Sequence, residues 1–134
     1  MTTAELLDRI AQVVGRHADV RFALLFGSAA KKGPDAARDI DVAVRFARSP
    51  SWMEMARLAG RIEDEIGRDV DLVDVDAATT LLRWEIVRTG LAVPVGDAEA
   101  LTCFRARVPL EYFDLEPFLE REAAGLNRRL GVTP

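Results

Sequence analysis

The sequence predicts an α/β fold in which helices pack on a small mixed β-sheet. Short apolar runs of strand length alternate along the chain with longer segments whose apolar residues recur at helical spacing. An alternating order of this kind is typical of helices covering a sheet. The chain has 134 residues, 49% of them hydrophobic, which is enough to form one domain with a core of its own.

The first half of the chain supplies a helix and two strands. Residues 3–17 carry apolar side chains at helical spacing, with Thr3 as the expected N-cap. Residues 20–26 form a nearly continuous apolar run, which predicts a strand buried on both faces. Residues 39–46 alternate strictly between apolar and other side chains, which predicts a half-buried strand.

The second half continues the alternation. Ser51 and Gly67 are suited to begin and end a helix between them. The remaining elements are a strand over 69–75, a helix over 79–89 closed by Gly90, a fourth short strand over Leu91–Val95, and two C-terminal helices from about Asp97, broken near Pro109 and Asp114.

Composition excludes several classes of protein. One cysteine and one histidine allow neither an internal disulfide nor a Cys/His zinc cluster and favour a reducing, cytoplasmic setting. The N-terminal segment is amphipathic and acidic, unlike a signal peptide, and no apolar stretch approaches the roughly 18 residues of a membrane span. With a net charge of −4, we expect no membrane association and no general nucleic-acid binding.

Acidic side chains on two predicted strands form a candidate metal site. Asp39 and Asp41 are two residues apart in a strand, so both project from one face with Cα atoms roughly 6.5–7 Å apart. Paired carboxylates of this kind suit Mg²⁺, and the alternative is a pair of solvated surface acids. Asp71 on the third strand is our choice for a third carboxylate, and Asp69, which has the same parity, remains a rival.

A candidate phosphate-binding turn follows the first strand. Gly27 allows the backbone to approach a ligand closely, and Ser28 stands at the start of a short helical turn, where free N–H groups attract anions. Lys31 lies nearby and can add positive charge for phosphates. An isolated Gly-Ser pair is usually only a turn, but here it precedes the Asp-x-Asp strand at a fixed spacing.

These motifs resemble a known family. The segment LLFGSAAKKGPDAARDIDVAV resembles the signature of the DNA polymerase beta-like nucleotidyltransferase superfamily, in which Gly-Ser, ten residues and Asp-x-Asp lie between apolar flanks. The later VDLV and LLRWEIVRTG resemble the minimal nucleotidyltransferases, or MNT proteins, many of which are antitoxins paired with HEPN-domain toxins. The resemblance covers about residues 20–95, within an expected nucleotidyltransferase core of about 1–96. A helical extension is expected over about 97–134 of the single domain.

The resemblance implies a mechanism and a partner. Gly27 and Ser28 would hold the β- and γ-phosphates of ATP, while Asp39 and Asp41 would bind two Mg²⁺ ions, with Asp71 completing the catalytic metal site. The implied reaction transfers AMP to a tyrosine of a cognate HEPN ribonuclease toxin, with which the chain could form a hetero-oligomer as a type VII antitoxin.

Two alternatives to this function stay open. One is a small-molecule nucleotidyltransferase of the antibiotic-modifying type, and the other is a catalytically silent antitoxin that acts by binding alone. The preferred base of the nucleotide, the true acceptor and the number of nucleotides transferred have no short motif that would reveal them.

Overall fold

A computed structural model of the protein describes residues 1–131, in which four strands form one mixed sheet flanked by helices. A single turn of 3₁₀ helix, Pro34–Ala36, precedes the second strand. The other elements in chain order are α1 Thr3–Val14, β1 Val20–Phe26, α2 Gly27–Lys32, β2 Ile40–Phe46, α3 Trp52–Ile66, β3 Val70–Asp74, α4 Thr80–Thr89, β4 Leu91–Ala92 and α5 Ala98–Arg129.

The sheet has the strand order β3-β2-β1-β4. The central strand β1 pairs antiparallel with both β2 and β4, whereas β2 and β3 run parallel. This mixed pairing confirms the predicted fold class. The parallel register places Asp41 directly opposite Asp71, so the acidic positions of two strands lie side by side.

Apolar side chains cover the sheet on both faces. One face packs against α1 and α3, and the other packs against α4 and α5. The buried residues that define the first layer include Leu6, Ile10, Ala23, Leu25, Ile40, Val42, Val44, Leu58 and Ile62, and those of the second include Phe22, Leu24, Phe26, Ala43, Ile86, Leu101, Phe104 and Val108. The strand β1 is therefore buried on both faces, as its continuous apolar run predicts.

The expectation of a half-buried β2 is wrong at the centre of that strand. Ala43 lies on the same face as Asp41, and it is fully buried in the second apolar layer. Alternation predicted an open face, but α4 and α5 return from later in the chain to cover it. Asp41 before it and Arg45 after it are only partly buried, so this face is covered at its centre and partly open at both ends, of which the Asp41 end is acidic.

Local capping determines several helix ends. Ser51 accepts a hydrogen bond from the Glu54 amide at 3.1 Å, and Gly67 adopts a left-handed φ of 70° after α3, both as predicted. For α1 the predicted cap is wrong by one residue, because the hydroxyl of Thr2 rather than Thr3 accepts from the Glu5 amide. That helix also stops at Val14, short of residue 17.

The C-terminal region is one helix rather than the two that were expected. The 32 residues of α5 continue through both Pro109 and Pro117, although an internal proline costs a helix about 3 kcal/mol. Burial of Phe104 and Val108 before Pro109, and stacking of Tyr112 on a tryptophan of α4 after it, hold both sides in place.

The fourth strand is also shorter than expected. Neither α5 nor any other helix within residues 1–131 has the length and apolar character to cross a membrane.

Two phenylalanines of α5 provide a matched test of this packing. Phe104 is 5% exposed and packs on Phe22, whereas Phe118 is 54% exposed. We expect Phe104→Ala to lower the free energy of unfolding by about 3–5 kcal/mol, the usual cost of emptying a core site of this size. Phe118→Ala should change it by no more than about 0.5 kcal/mol. Urea denaturation followed by circular dichroism measures both, and equal losses would contradict the packing described.

Candidate active site

Three carboxylates gather at the open end of the sheet. Asp39 is exposed immediately before β2, Asp41 is partly buried within β2, and Asp71 is exposed in β3 at the position that pairs with Asp41. Asp39 is expected within the strand but lies one residue before it, and its charge is nevertheless close enough to affect Asp41. The third joins them because β3 is the parallel neighbour of β2.

The pKa of Asp41 shows that the three charges meet at this residue. Burial raises the pKa of the Asp41 carboxyl, and the nearby negative charges of Asp71 and Asp39 raise it further. A bound cation would offset this repulsion and so stabilise the ionised carboxylate of Asp41.

Asp69, the rival of Asp71, is placed differently. It precedes β3 and is exposed, and its main-chain carbonyl accepts a hydrogen bond from the Ile40 amide at 2.9 Å. Its carboxyl is not among the charges that perturb Asp41. The structure therefore brings Asp71, rather than Asp69, next to Asp41.

Gly27 joins the Gly-Ser turn to the carboxylates. Its φ is 70°, a left-handed conformation that favours glycine. A Cβ atom added at Gly27 would overlap the Oδ2 atom of Asp41. No other residue type would fit here without moving either the turn or the carboxylate, so the candidate phosphate turn and the candidate metal site are in direct contact.

The amide of Gly27 is already used within the protein. It donates to the Oγ1 atom of Thr89 at 3.2 Å, and the Thr89 hydroxyl in turn donates to the carbonyl of Glu85 at 2.8 Å. Ser28, the next residue of α2, is exposed. Ser28 therefore places its side chain at the surface, whereas Gly27 contributes its conformation and small size.

Lys31 is held by an ion pair at the end of the same short helix. Its Nζ atom lies 3.1 Å from Oε1 of Glu85, and Arg88 contacts the other oxygen of that carboxylate. Although burial acts in the opposite direction, hydrogen bonds from Lys31 and Arg88 lower the pKa of Glu85. Lys31 therefore lies beside the turn with its charge directed at α4.

Arg68 fixes the loop that leads to the carboxylates. Its guanidinium donates to the carbonyl of Pro34 at 2.8 Å and also to the carbonyl of Ala37. These bonds tie the segment before Asp39 to the end of α3. Sequence reasoning missed both Arg68 and Thr89, because their partners lie 31 to 62 residues away and no local spacing marks such pairs.

The donor set fits a hard divalent cation. Across residues 1–131, no three Asp, Glu, His or Cys side chains enclose a ready-made metal site. Mg²⁺ does not need one, because it commonly binds through one or two carboxylates and takes its remaining ligands from water and substrate phosphates. Asp41 and Asp71, abreast on adjacent strands with Asp39 beside them, are the residues that would hold such an ion.

This combination of fold and site defines a class of protein. A mixed sheet that places a Gly-Ser turn against adjacent strand carboxylates is the arrangement of a nucleotidyltransferase. The model of the Polbeta family (polymerase beta, nucleotidyltransferase) matches residues 8–97. The chain belongs to this family and is a nucleotidyltransferase.

Comparison with individual proteins agrees with this assignment. The Methanocaldococcus jannaschii protein named "Putative protein adenylyltransferase MJ0435" is 28% identical over 93 residues, which are 69% of this chain and 99% of that protein. A crystal structure of a toxin-antitoxin with AMP-PNP matches at 24% identity and a TM-score of 0.77, covering 88% of this chain and 95% of its own.

A further solved structure contains a tri-AMPylated Shewanella oneidensis HEPN toxin in complex with an MNT antitoxin. It matches at 22% identity and a TM-score of 0.76, covering 92% of this chain and 98% of its own. Because both solved structures are less than 25% identical to this chain, they establish a shared fold.

The raised pKa of Asp41 predicts how a charge-removing substitution affects stability. The carboxyl ionises near its usual value of 3.8 in the unfolded chain but at higher pH in the folded one. Ionised Asp41 therefore lowers the free energy of unfolding of the wild-type protein. This loss is absent at pH values well below 3.8 and complete once the pH exceeds the pKa of the folded protein. We expect Asp41→Asn to be more stable than wild type at neutral pH without divalent metal, with the difference vanishing in acid.

Urea denaturation of both proteins at a series of pH values checks this expectation. Asp114→Asn, an exposed substitution on α5, is the control and should show no such pH-dependent gain. A neutral-pH stability of Asp41→Asn equal to or below that of wild type would contradict the proposed repulsion.

Proposed function

We propose that this nucleotidyltransferase transfers AMP from ATP, with Mg²⁺, to a tyrosine hydroxyl of a cognate HEPN ribonuclease toxin and so acts as a type VII antitoxin. The observation that carries the proposal is the direct contact of the Gly27 turn with Asp41, which itself pairs with Asp71. ATP as the donor suits a cytoplasmic setting. The catalytic core would span about residues 1–96 and the helical extension about 97–134.

The names of the similar proteins support a transfer of AMP to a protein. The Methanocaldococcus jannaschii relative is named for protein adenylyl transfer. One solved structure that shares the fold contains an AMPylated HEPN toxin, and another contains AMP-PNP. These proteins indicate a nucleotide donor and a protein acceptor for a chain with this fold and site.

In the proposed reaction, the turn binds and orients the triphosphate. The hydroxyl and the amide of Ser28, an exposed residue, would donate to phosphate oxygens, with Gly27 keeping the backbone close to them. Lys31 would move from Glu85 to the phosphates. Since an exposed ion pair contributes about 0–1 kcal/mol, that exchange costs little.

The carboxylates serve the acceptor side of the reaction. Asp39, Asp41 and Asp71 would hold two Mg²⁺ ions, which supply charge neutralisation at the attacking and leaving oxygens when bound. Asp71 would accept the proton of the tyrosine hydroxyl while the tyrosine oxygen forms its bond to the α-phosphorus. The bond from that phosphorus to the bridging oxygen breaks, and pyrophosphate leaves.

A partner surface is available on the distal half of α5. Leu126 and Leu130 are exposed there, at helical spacing from Leu115 and Leu119, and five acidic residues face only one arginine between positions 111 and 122. The stripe has these acidic residues beside its first part and Arg128 and Arg129 beside its end, so it fits an amphipathic surface of the toxin that carries both basic and acidic residues. Such docking would form the proposed hetero-oligomer and bring the acceptor tyrosine to the site.

Mass spectrometry of an incubated mixture tests the activity. The protein is combined with the product of its genomic neighbour, as the candidate HEPN protein, with Mg²⁺ and with each nucleoside triphosphate in turn. We expect the HEPN protein to gain one or more AMP units with ATP, and EDTA to abolish the gain. No adduct on a stably bound partner would favour inhibition by binding alone, and adducts only on small hydroxyl compounds would favour an antibiotic-type acceptor.

A matched pair of substitutions tests the choice of the third carboxylate. Asp71→Asn removes the residue that pairs with Asp41, while Asp69→Asn removes an acid of the same parity that lies outside the cluster. We expect the first to lower the AMP-transfer rate at least about 100-fold, in the range typical of losing a catalytic acid–base group, and the second to leave it within about threefold. The reverse order of effects would reassign the site to Asp69.

Two neighbouring lysines separate the phosphate contact from general charge. A charge-assisted hydrogen bond contributes about 1.5–3 kcal/mol, from which the cost of releasing Glu85 is subtracted. We therefore expect Lys31→Ala to raise the KM for ATP about 5- to 30-fold. Lys32→Ala, which removes an equal charge at the next exposed position, should change KM less than about threefold. Equal increases of KM in the two variants would show that the overall positive charge, rather than a specific contact of Lys31, determines ATP binding.

A further inference from the structure

The end of α4 supplies a cap that α2 lacks. The first amide groups of any helix have no acceptor within the helix, and the residue before α2 is Phe26, whose side chain cannot accept a hydrogen bond from them. The Gly27 amide instead donates to Oγ1 of Thr89, 62 residues later in the chain. One threonine thus connects the turn to a different helix.

The Thr89 hydroxyl is fixed in orientation. A hydroxyl has one proton to donate, and that proton is directed to the Glu85 carbonyl at 2.8 Å. A lone pair of the same oxygen therefore remains for the Gly27 amide. Glu85 contacts both residues, since its carbonyl accepts the Thr89 hydroxyl and its carboxylate holds Lys31.

Close packing holds this end of α4 in place. Ile86 is fully buried among the side chains of the second apolar layer. The neighbour of Thr89, Gly90, has so little space that a Cβ there would overlap the Ile86 carbonyl and lie 3.4 Å from Cδ2 of Leu24 on β1. Thr89 is therefore held by well-packed neighbours as the acceptor of the Gly27 amide.

We propose that Thr89 is a positioning residue that sets the conformation of the Gly27–Ser28 turn for triphosphate binding. This role rests on the proposed function, because it requires ATP to bind at that turn. Thr89 touches no reacting atom. It acts by keeping the Gly27 amide bonded inward, which leaves Ser28 facing the ligand and Gly27 against Asp41.

The test compares two substitutions at one position. Thr89→Val removes the hydroxyl at nearly constant volume, and Thr89→Ser keeps it. We measure ATP affinity by calorimetry in the presence of Mg²⁺, the exchange rate of the Gly27 amide by nuclear magnetic resonance, and the melting temperature. Thr102→Val is the matched control, because the Thr102 hydroxyl makes the same kind of bond to a carbonyl four residues earlier without contacting the turn.

We expect Thr89→Val to weaken ATP binding about 3- to 10-fold, the effect of losing one hydrogen bond, and to accelerate exchange at Gly27. Thr89→Ser should restore both to near wild-type values, and Thr102→Val should change neither. Wild-type ATP affinity and Gly27 exchange in a folded Thr89→Val protein would overturn the role of Thr89 alone. A wild-type protein that does not bind ATP would overturn the proposed function and this role with it.

Discussion

The contact between Gly27 and the carboxylate of Asp41 is the constraint on which the rest of the site depends. It requires a glycine with positive φ at the end of β1 and a carboxylate on the facing strand, and the β1–β2 register opposes Phe26 to Asp41 to bring them together. A side chain at position 27 would overlap the Asp41 carboxylate, so the turn and the acidic cluster lie this close together because position 27 is glycine.

Gathering negative charge at Asp41 opposes folding, and the apolar layers offset that cost. The parallel pairing of β2 with β3 keeps Asp41 and Asp71 side by side despite their repulsion. Buried polar or charged side chains are absent from the core of residues 1–131. The electrostatic cost is thereby confined to the open end of the sheet, where an incoming cation can remove it.

Helix α4 connects the parts of the site that are distant in sequence. Its Glu85 and Thr89 contact Lys31 and Gly27 of α2, and its Trp84 stacks on Tyr112 of α5 at a ring separation of 4.6 Å. The turn, the lysine beside it and the helical extension are thus held by one element. A partner docked on α5 would contact a helix whose aromatic side chains pack directly on α4.

Local patterns in the sequence determined most of the elements and much of the site. The apolar run of β1 and the caps of α3 each depend on neighbours within a few residues, and both were confirmed. The Gly-Ser turn followed by Asp-x-Asp also indicated the family, which the comparison established.

Tertiary structure alone decided what depends on packing between distant segments. Parity left Asp69 and Asp71 equivalent, and the parallel register of β3 on β2 placed Asp71 beside Asp41. Packing carried α5 through Pro109, covered the second face of β2 at Ala43, and brought Thr89 to Gly27. Such pairings are selected by burial and strand register over the whole chain, and no local periodicity records them.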